Sequence, residues 1–141
     1  MKTLETNLNI QKIRQIDCAD LFFIDDLVIV EVKMHTLVGK KQLEHIIEAI
    51  ENEILDISKV HFISNRVDPY SLKPTEFPCL KKKIDSFKSY SVVTYGSVGV
   101  TNLIFERMFL KSKIVRFDSL LEAIASKRGK SGYGGRAFFV A

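Results

Sequence analysis

The sequence has few of the residues that build metal and redox centres. It contains two cysteines, Cys18 and Cys79, three histidines and no tryptophan. Neither the cysteines nor the histidines show the spacing of metal ligands or of a redox pair, so we expect reduced cysteines, no metal and no cofactor. P-loop, dinucleotide-binding and nucleophile-elbow motifs are missing as well. These absences exclude the common sequence signatures of enzymes, and we predict no catalytic residues and no enzymatic activity.

Long apolar runs are also missing. No stretch approaches the roughly 20 residues that span a bilayer, and residues 1–15 lack the apolar core of a secretory signal. With 46% hydrophobic and 27% charged residues, the composition is typical of a soluble globular domain. We therefore expect one domain, a cytoplasmic location and no membrane insertion.

The positive net charge of +4 comes from one end of the chain. Four basic residues and no acidic residue follow Glu122, which leaves 17 residues of each sign in 1–126. Since nucleic-acid-binding domains carry their basic surplus on the folded surface, this balance argues against a nucleic-acid partner. Residues 127–141 contain four of the seven glycines and are predicted to form a flexible basic tail. Residues 1–11 are predicted to be a loose N-terminal segment.

Hydrophobic periodicity predicts an α/β domain in residues 12–126. Two β-rich runs, 21–24 and 27–32, surround Asp25-Asp26 and predict a hairpin. The stretch that follows has isoleucines and leucines at helical spacing with acidic residues on the opposite face. Three strand–helix repeats come next, which imply right-handed crossovers and a mostly parallel sheet.

Three stretches carry a resemblance to a known family: FFIDDLVIVEVK at the hairpin, FISNRVDPYSLKP after the central strand, and FLKSKIVRFDSLLEAI near the end. In these stretches the chain resembles STAS domains of the SpoIIAA-like fold, and in particular small stand-alone STAS-like proteins of Bacteroidetes. The resemblance implies an N-terminal β-hairpin followed by βαβαβα repeats. It also implies a mixed, mostly parallel sheet of four or five strands covered by helices, and a non-enzymatic regulatory or protein-interaction module.

The better-known STAS domains carry a phosphorylatable serine next to an aspartate, at the start of the helix that follows the central strand. A phosphate is favoured there by the helix dipole, and its charge repels or recruits a partner. The matching region, SNRVDPYSLKPTE, has no Asp-Ser pair opening a helix. Ser71 remains the candidate for phosphorylation in this chain.

The loop 64–76 is the leading candidate site. Ligands of open α/β sheets tend to lie beyond the carboxyl ends of the parallel strands, and this loop follows the central strand. We predict that it contacts a protein partner together with the helix that follows it. The alternative is a purely structural loop in which Arg66 pairs with a neighbouring acid and Asp68-Pro69 forms a turn. The predicted contact residues are Asn65, Arg66, Tyr70, Ser71 and Lys73.

Two other functions stay open. The same end of the sheet could bind a small anionic or lipid-like ligand, held by Arg66 in a pocket lined with Tyr70, Phe77 or Tyr95. More remotely, Glu31 and Lys33 form an E-x-K tripeptide after Asp25 and Asp26, as in metal-dependent nucleases of the PD-(D/E)xK type. A cross-strand charge pair is the structural explanation of the same tripeptide.

The helix expected after the strand 89–95 is unusually apolar. Phe105, Phe109 and Leu110 add to residues assigned to the core, Leu103, Ile104 and Met108. An apolar excess around a whole helix predicts burial on two sides. The second side would be covered either by a second copy, in a homodimer, or by the C-terminal tail with Phe138 and Phe139.

Overall fold

A computed structural model describes residues 8–110 and 114–128. Residues 1–7 of the predicted N-terminal segment and residues 129–141 of the predicted tail lie outside the described residues. The strands are β1 (Lys12–Gln15), β2 (Ala19–Ile24), β3 (Leu27–Val32), β4 (Leu37–Val38), β5 (His61–Arg66), β6 (Ser71–Leu72), β7 (Ser89–Thr94) and β8 (Ile114–Phe117). The α-helices are α1 (Lys40–Glu53), α2 (Lys81–Asp85), α3 (Val100–Phe109) and α4 (Leu120–Arg128), and short 3₁₀ helices cover Ile57–Lys59 and Phe77–Leu80.

The main sheet is mixed and has six strands, in the order β1-β2-β3-β5-β7-β8. β1, β2 and β3 pair antiparallel, and β3, β5, β7 and β8 pair parallel. The α/β class and the mixed sheet are therefore confirmed, but the predicted count of four or five strands is too low. The additional strand is β1, which lies within residues 12–17, where the alternating sequence allows a short strand; the structure leaves β1 mostly exposed. A separate two-stranded sheet pairs β4 with β6.

The predicted hairpin and first helix are both present. Asp25 adopts φ +52° in the two-residue turn between β2 and β3, a left-handed conformation that aspartate tolerates better than most residues. In α1 the buried side chains are Ile46, Ile47, Ala49 and Ile50, at helical spacing. The amphipathic pattern therefore located α1 and the face that it buries.

The sheet has a hydrophobic core on each face. Alternate residues of β3 point to opposite sides, so Val28 and Val30 join one core while Leu27 and Ile29 join the other. Helices α1, α2 and α3 contribute to the first core and α4 to the second. This arrangement follows from right-handed crossovers between neighbouring parallel strands. Within the part of the chain that the structure describes, no helix is long and apolar enough to cross a bilayer.

The carboxyl ends of the parallel strands gather the polar segments of interest. β5 and β7 end there at Arg66 and Thr94, and α1 and α3 begin there after Gly39 and Gly99. The small β4–β6 sheet joins the segments that follow β3 and β5. Two buried polar networks lie at this end, one on each face of the sheet.

Candidate functional site

A buried ion pair joins the central strand to α3. Arg66, the last residue of β5, places its Nη2 2.7 Å from Oε2 and 2.6 Å from Oε1 of Glu106 in α3. Oε2 accepts a hydrogen bond from this Nη2, whereas Oε1 accepts none. The two side chains are only 1% and 3% exposed. The structure therefore places Arg66 inside the protein, with its charge neutralised, rather than in a solvent-facing loop.

The remaining polar atoms of Arg66 also have partners inside the protein. Its Nε donates to Ser64 Oγ at 3.0 Å, and its Nη1 donates to the carbonyl oxygen of Gly99 at 3.2 Å. The Tyr70 ring lies 5.7 Å from the guanidinium carbon. Burial lowers the pKa of Arg66, but the charges of Tyr70 and Glu106 outweigh it, so the pKa is raised overall. Arg66 is therefore permanently charged, and its side chain is buried with each nitrogen bonded inside the protein, which keeps it from an anionic ligand at the surface.

Two further contacts tie α3 to this network. Tyr90 of β7 donates from its hydroxyl to Glu106 Oε2 at 2.9 Å, and burial together with this carboxylate raises the pKa of Tyr90 well above its ordinary value. Asn102 donates from Nδ2 to the backbone carbonyl of Tyr70 at 2.9 Å. The network thus links β5, β7, the segment after β5 and α3. These contacts fix the position of α3 on the sheet.

A second network lies on the opposite face of the sheet. Asn65 donates from Nδ2 to Glu31 Oε2 at 2.8 Å, and its Oδ1 accepts from the Tyr95 hydroxyl at 2.6 Å. Asp20 is directly opposite Glu31 in the β2–β3 register, and its Oδ1 is buried without a hydrogen-bond partner. Burial raises the pKa of Glu31, the Asn65 hydrogen bond opposes the rise, and the Asp20 carboxylate adds to it. The ionised form of Glu31 therefore destabilises the folded state.

This raised pKa gives a pH-dependent prediction for Glu31→Gln. Folding disfavours the ionised form of Glu31, so the wild-type protein loses stability as pH rises from the ordinary value of 4.5 through the raised folded-state value. The glutamine keeps an acceptor for Asn65 and carries no charge. We expect the variant to be more stable than wild type at pH 7, with the gain disappearing below pH 4.5. Urea denaturation between pH 4 and 7 measures the difference.

The same replacement at Glu44, an exposed position of α1, controls for the chemistry of the substitution. A stability gain at Glu31 that stays constant across the pH range would show that ionisation of Glu31 is not its source.

The nuclease hypothesis predicted a second carboxylate within metal-bridging distance of Glu31, with Asp25 and Asp26 as the acids that precede it in the sequence. The structure puts both aspartates in the β2–β3 turn, at the other end of β3, and brings Asp20 opposite Glu31 instead. Lys33 is exposed. Burial raises the pKa of Cys18, and the positive charge of Lys33 partly offsets this rise. Among the described residues, no group of three or more His, Cys, Asp or Glu side chains could hold a metal ion. The geometry therefore gives the E-x-K tripeptide no further support.

The five predicted contact residues separate into three environments. Arg66 and the partly exposed Tyr70 belong to the α3 network, whereas Asn65 belongs to the network on the other face. Ser71 is exposed at the start of β6. Lys73 is exposed and lies 3.7 Å from Glu76. Only Tyr70, Ser71 and Lys73 therefore present surface to a partner at this end of the sheet.

Glu76 fills the position where an anion would otherwise approach α1. One of its carboxylate oxygens accepts a hydrogen bond from the backbone N–H of Lys40 at 2.9 Å, in the first turn of the helix. Because a carboxylate at a helix start satisfies free N–H groups and complements the dipole, this helix start needs no external ligand.

Two surface grooves flank α1. One, of about 430 Å³, lies between α1 and the segment around Leu80 and Lys83. The other, of about 330 Å³, lies between α1 and the β1 region at Arg14 and Ile16. Neither groove is lined by Arg66 or Tyr70, so neither corresponds to the predicted ligand pocket.

Helix α3 buries polar side chains and exposes apolar ones, which the sequence pattern did not predict. Its buried side chains are Asn102, Leu103 and Glu106, whereas Ile104 and Met108, which the apolar pattern assigned to the core, are 57% and 68% exposed. Phe105 is 37% exposed. The polar residues face inward because Arg66 and Tyr70 offer them partners there. One signal was available: Asn102 and Glu106 are four residues apart and therefore share a helix face.

Ile104, Phe105 and Met108 form an exposed apolar surface, which we call the α3 face. Met108 is four residues from Ile104 and three from Phe105, spacings that make helix side chains neighbours, so the three side chains are contiguous rather than scattered. The α3 face lies beside the segment after β5, because Asn102 binds the Tyr70 carbonyl. Contiguous exposed apolar surface marks interaction sites more often than isolated exposed side chains do.

Comparison of the sequence with models of protein families gives no match. No curated protein matches the chain at a significant level.

Proposed function

We propose that this protein is a non-enzymatic, STAS-like interaction module of the cytoplasm that binds a protein partner at the carboxyl end of its parallel strands. The contact surface consists of the α3 face, the partly exposed Tyr70, and the exposed residues Ser71 and Lys73 of the segment after β5. The sheet order and the parallel crossovers are consistent with the fold that the resemblance implies. The observation that carries the proposal is the outward position of Ile104 and Met108.

The inward position of the charges supports a binding role for α3. A helix made only to cover the sheet would bury Ile104 and Met108 and expose Glu106, since that arrangement gains hydrophobic burial and avoids desolvating a charge. Instead, the Arg66–Glu106 pair fixes the opposite orientation. Proteins depart from the most stable arrangement mainly at functional sites, so buried charges beneath exposed apolar side chains support a binding role for α3.

Compared with the sequence-based prediction, the proposal keeps the loop after β5 and replaces the helix that follows it with α3. α2 is one short helix of Lys81–Asp85, and Lys81 is paired with Asp85 at 2.8 Å. Ser71 remains the proposed site of phosphorylation, because its side chain is exposed one residue from Tyr70. A phosphate there would add negative charge at the rim of the contact surface.

Loss of the α3 face is expected to abolish partner binding. In a pull-down from the native cell, the amount of each specific partner retained by Ile104→Ser/Met108→Ser should be at most about one tenth of the wild-type amount. Apolar anchors that become buried dominate the binding energy of such interfaces. The fold should be unaffected, because both side chains are exposed. Thermal melting followed by circular dichroism checks that point.

A matched control is Leu55→Ser/Leu121→Ser, which removes two apolar side chains that are 93% and 54% exposed elsewhere on the surface. This control should retain the partners. If the α3 variant captures the same proteins as wild type in the same amounts, the α3 face is not the contact surface and the proposed function fails.

A further inference from the structure

The exposed part of α3 carries charge of one sign. Within α3, all of which the structure describes, the charged residues are Glu106 and Arg107. Glu106 is buried and neutralised by Arg66, whereas Arg107 is exposed. Arg107 also donates from Nη2 to the backbone carbonyl of Ile114 at 3.3 Å. The α3 face is therefore flanked by one exposed cation, and α3 exposes no carboxylate.

We propose that the partner contributes an acidic amphipathic segment, with apolar side chains on Ile104, Phe105 and Met108 and carboxylates toward Arg107. This inference rests on the proposed function, since it names the chemistry of the partner at the same surface. Ile104 and Met108 form an i, i+4 ridge, the feature that packs into the groove of a second helix. Aromatic, Met and Arg side chains are enriched in such interfaces.

Charge distinguishes this partner from a second copy of the chain. A twofold interface brings the same patch of both copies together, so each copy would contribute Arg107 to the shared surface. α3 exposes no carboxylate that could compensate the repulsion. An acidic partner removes this repulsion and is also attracted at long range, which raises the association rate.

Size distinguishes it from a membrane surface. α3 packs its inner side on the sheet and exposes three apolar side chains. Peripheral helices that bind membranes insert a whole apolar face and carry many basic residues, whereas Arg107 is the one basic residue of α3. A flat, partly apolar helix surface is better suited to another helix.

The test is a selection from a displayed library of helix-forming peptides with randomised surface positions, carried out on the full chain. Wild type is expected to enrich peptides that are net negative and apolar at i, i+3 or i+4. The Arg107→Glu variant is expected to enrich net positive peptides instead. Ile104→Ser/Met108→Ser is expected to enrich none.

A selected acidic peptide is then titrated by fluorescence anisotropy. We expect Arg107→Glu to weaken its binding at least about tenfold. Added salt should weaken binding to wild type by screening attraction, and should strengthen the residual binding to the glutamate variant by screening repulsion. As a matched control, Lys83→Glu reverses the charge of an exposed lysine on α2 and should leave the affinity unchanged.

Each other outcome overturns the inference in a distinguishable way. Enrichment of neutral or basic apolar peptides by wild type would reject the acidic partner and leave the proposed function standing.

Binding of phosphatidylserine vesicles that depends on Met108, without peptide enrichment, would assign the α3 face to membranes. A dimer in sedimentation analysis that depends on Ile104 would assign it to a second copy. Enrichment only after Phe138→Ser/Phe139→Ser would show that the chain covers its own α3. No enrichment by any of these proteins would reject the proposed function as well.

Discussion

Replacing Arg66 with methionine is expected to lower the free energy of unfolding by about 3–5 kcal/mol. The substitution leaves the Glu106 carboxylate, whose side chain is 3% exposed, buried without its counter-charge. The Tyr90 hydroxyl remains as a single donor to Glu106, and one neutral hydrogen bond does not offset the desolvation of a carboxylate. Urea denaturation at pH 7, followed by circular dichroism, measures the loss.

A double variant separates the loss of an ion pair from the loss of packing. Arg66→Met/Glu106→Leu removes both charges, and replacing a buried pair by apolar side chains of similar volume is often neutral or stabilising. We expect it to recover most of the stability, apart from about 1 kcal/mol for each partner left unsatisfied, such as Ser64. A double variant as unstable as Arg66→Met would contradict this account of the pair.

The surface pair between Lys83 and Glu51 provides a matched control. The two groups are 3.0 Å apart, with side chains 52% and 35% exposed. Since solvent screens exposed pairs, Lys83→Ala should change the free energy of unfolding by less than about 1 kcal/mol. If Arg66→Met were equally mild, the buried network would not determine the orientation of α3, and the exposed position of Ile104 and Met108 would need another cause.

Local sequence patterns predicted the fold well because its main elements bury regular apolar faces. The hairpin around Asp25-Asp26 and the helix α1 have strong periodicity, and both were correctly located. The alternation of residues 12–17 allowed a short strand, which is β1, but the predicted strand count left it out, and three of its four residues are exposed. β4 and β6 have two residues each, too few for a period to be recognised.

The environment of the candidate site could not be predicted in the same way. Ser64, Asn65 and Arg66 follow a buried apolar run, and such polar residues normally indicate that a strand has ended. Here they continue β5, because partners distant in sequence satisfy them. Glu106 is 40 residues from Arg66, and Glu31 is 34 residues from Asn65. A local pattern contains no information on such partners, so burial of a charge is the feature that sequence reasoning misses most readily.

The same missing information explains the error on α3. Apolar periodicity assigns Ile104 and Met108 to the core, which is correct whenever burial of apolar area decides the rotation of a helix. In this protein the buried guanidinium of Arg66 decides it, because leaving that charge unpaired costs more than exposing two apolar side chains. The contact surface proposed above is therefore a consequence of a polar residue in the central strand.

Gly99 connects this network to the start of α3, and Gly99→Ala is the second substitution with a large expected effect. Gly99 has φ +85°, a left-handed conformation that costs a residue with a Cβ about 1–2 kcal/mol. An added Cβ would also lie 2.7 Å from Cδ and 2.9 Å from Cβ of Arg66. Arg66 cannot move away without breaking its bonds to Glu106 and Ser64. We therefore expect a loss of about 2–5 kcal/mol, the sum of the conformational cost and of overpacking.

Gly96 offers a control within the same turn. Its φ is +64°, and a Cβ added there meets nothing within 4 Å. Gly96→Ala should therefore show the conformational cost alone, about 1–2 kcal/mol, and the difference between the two variants measures how tightly α3 is held against Arg66. Equal losses in urea denaturation would mean that the close approach at Gly99 is relieved cheaply. A larger loss at Gly99 that largely disappears in the Arg66→Met background would show that the turn and the buried guanidinium act as one unit in positioning α3.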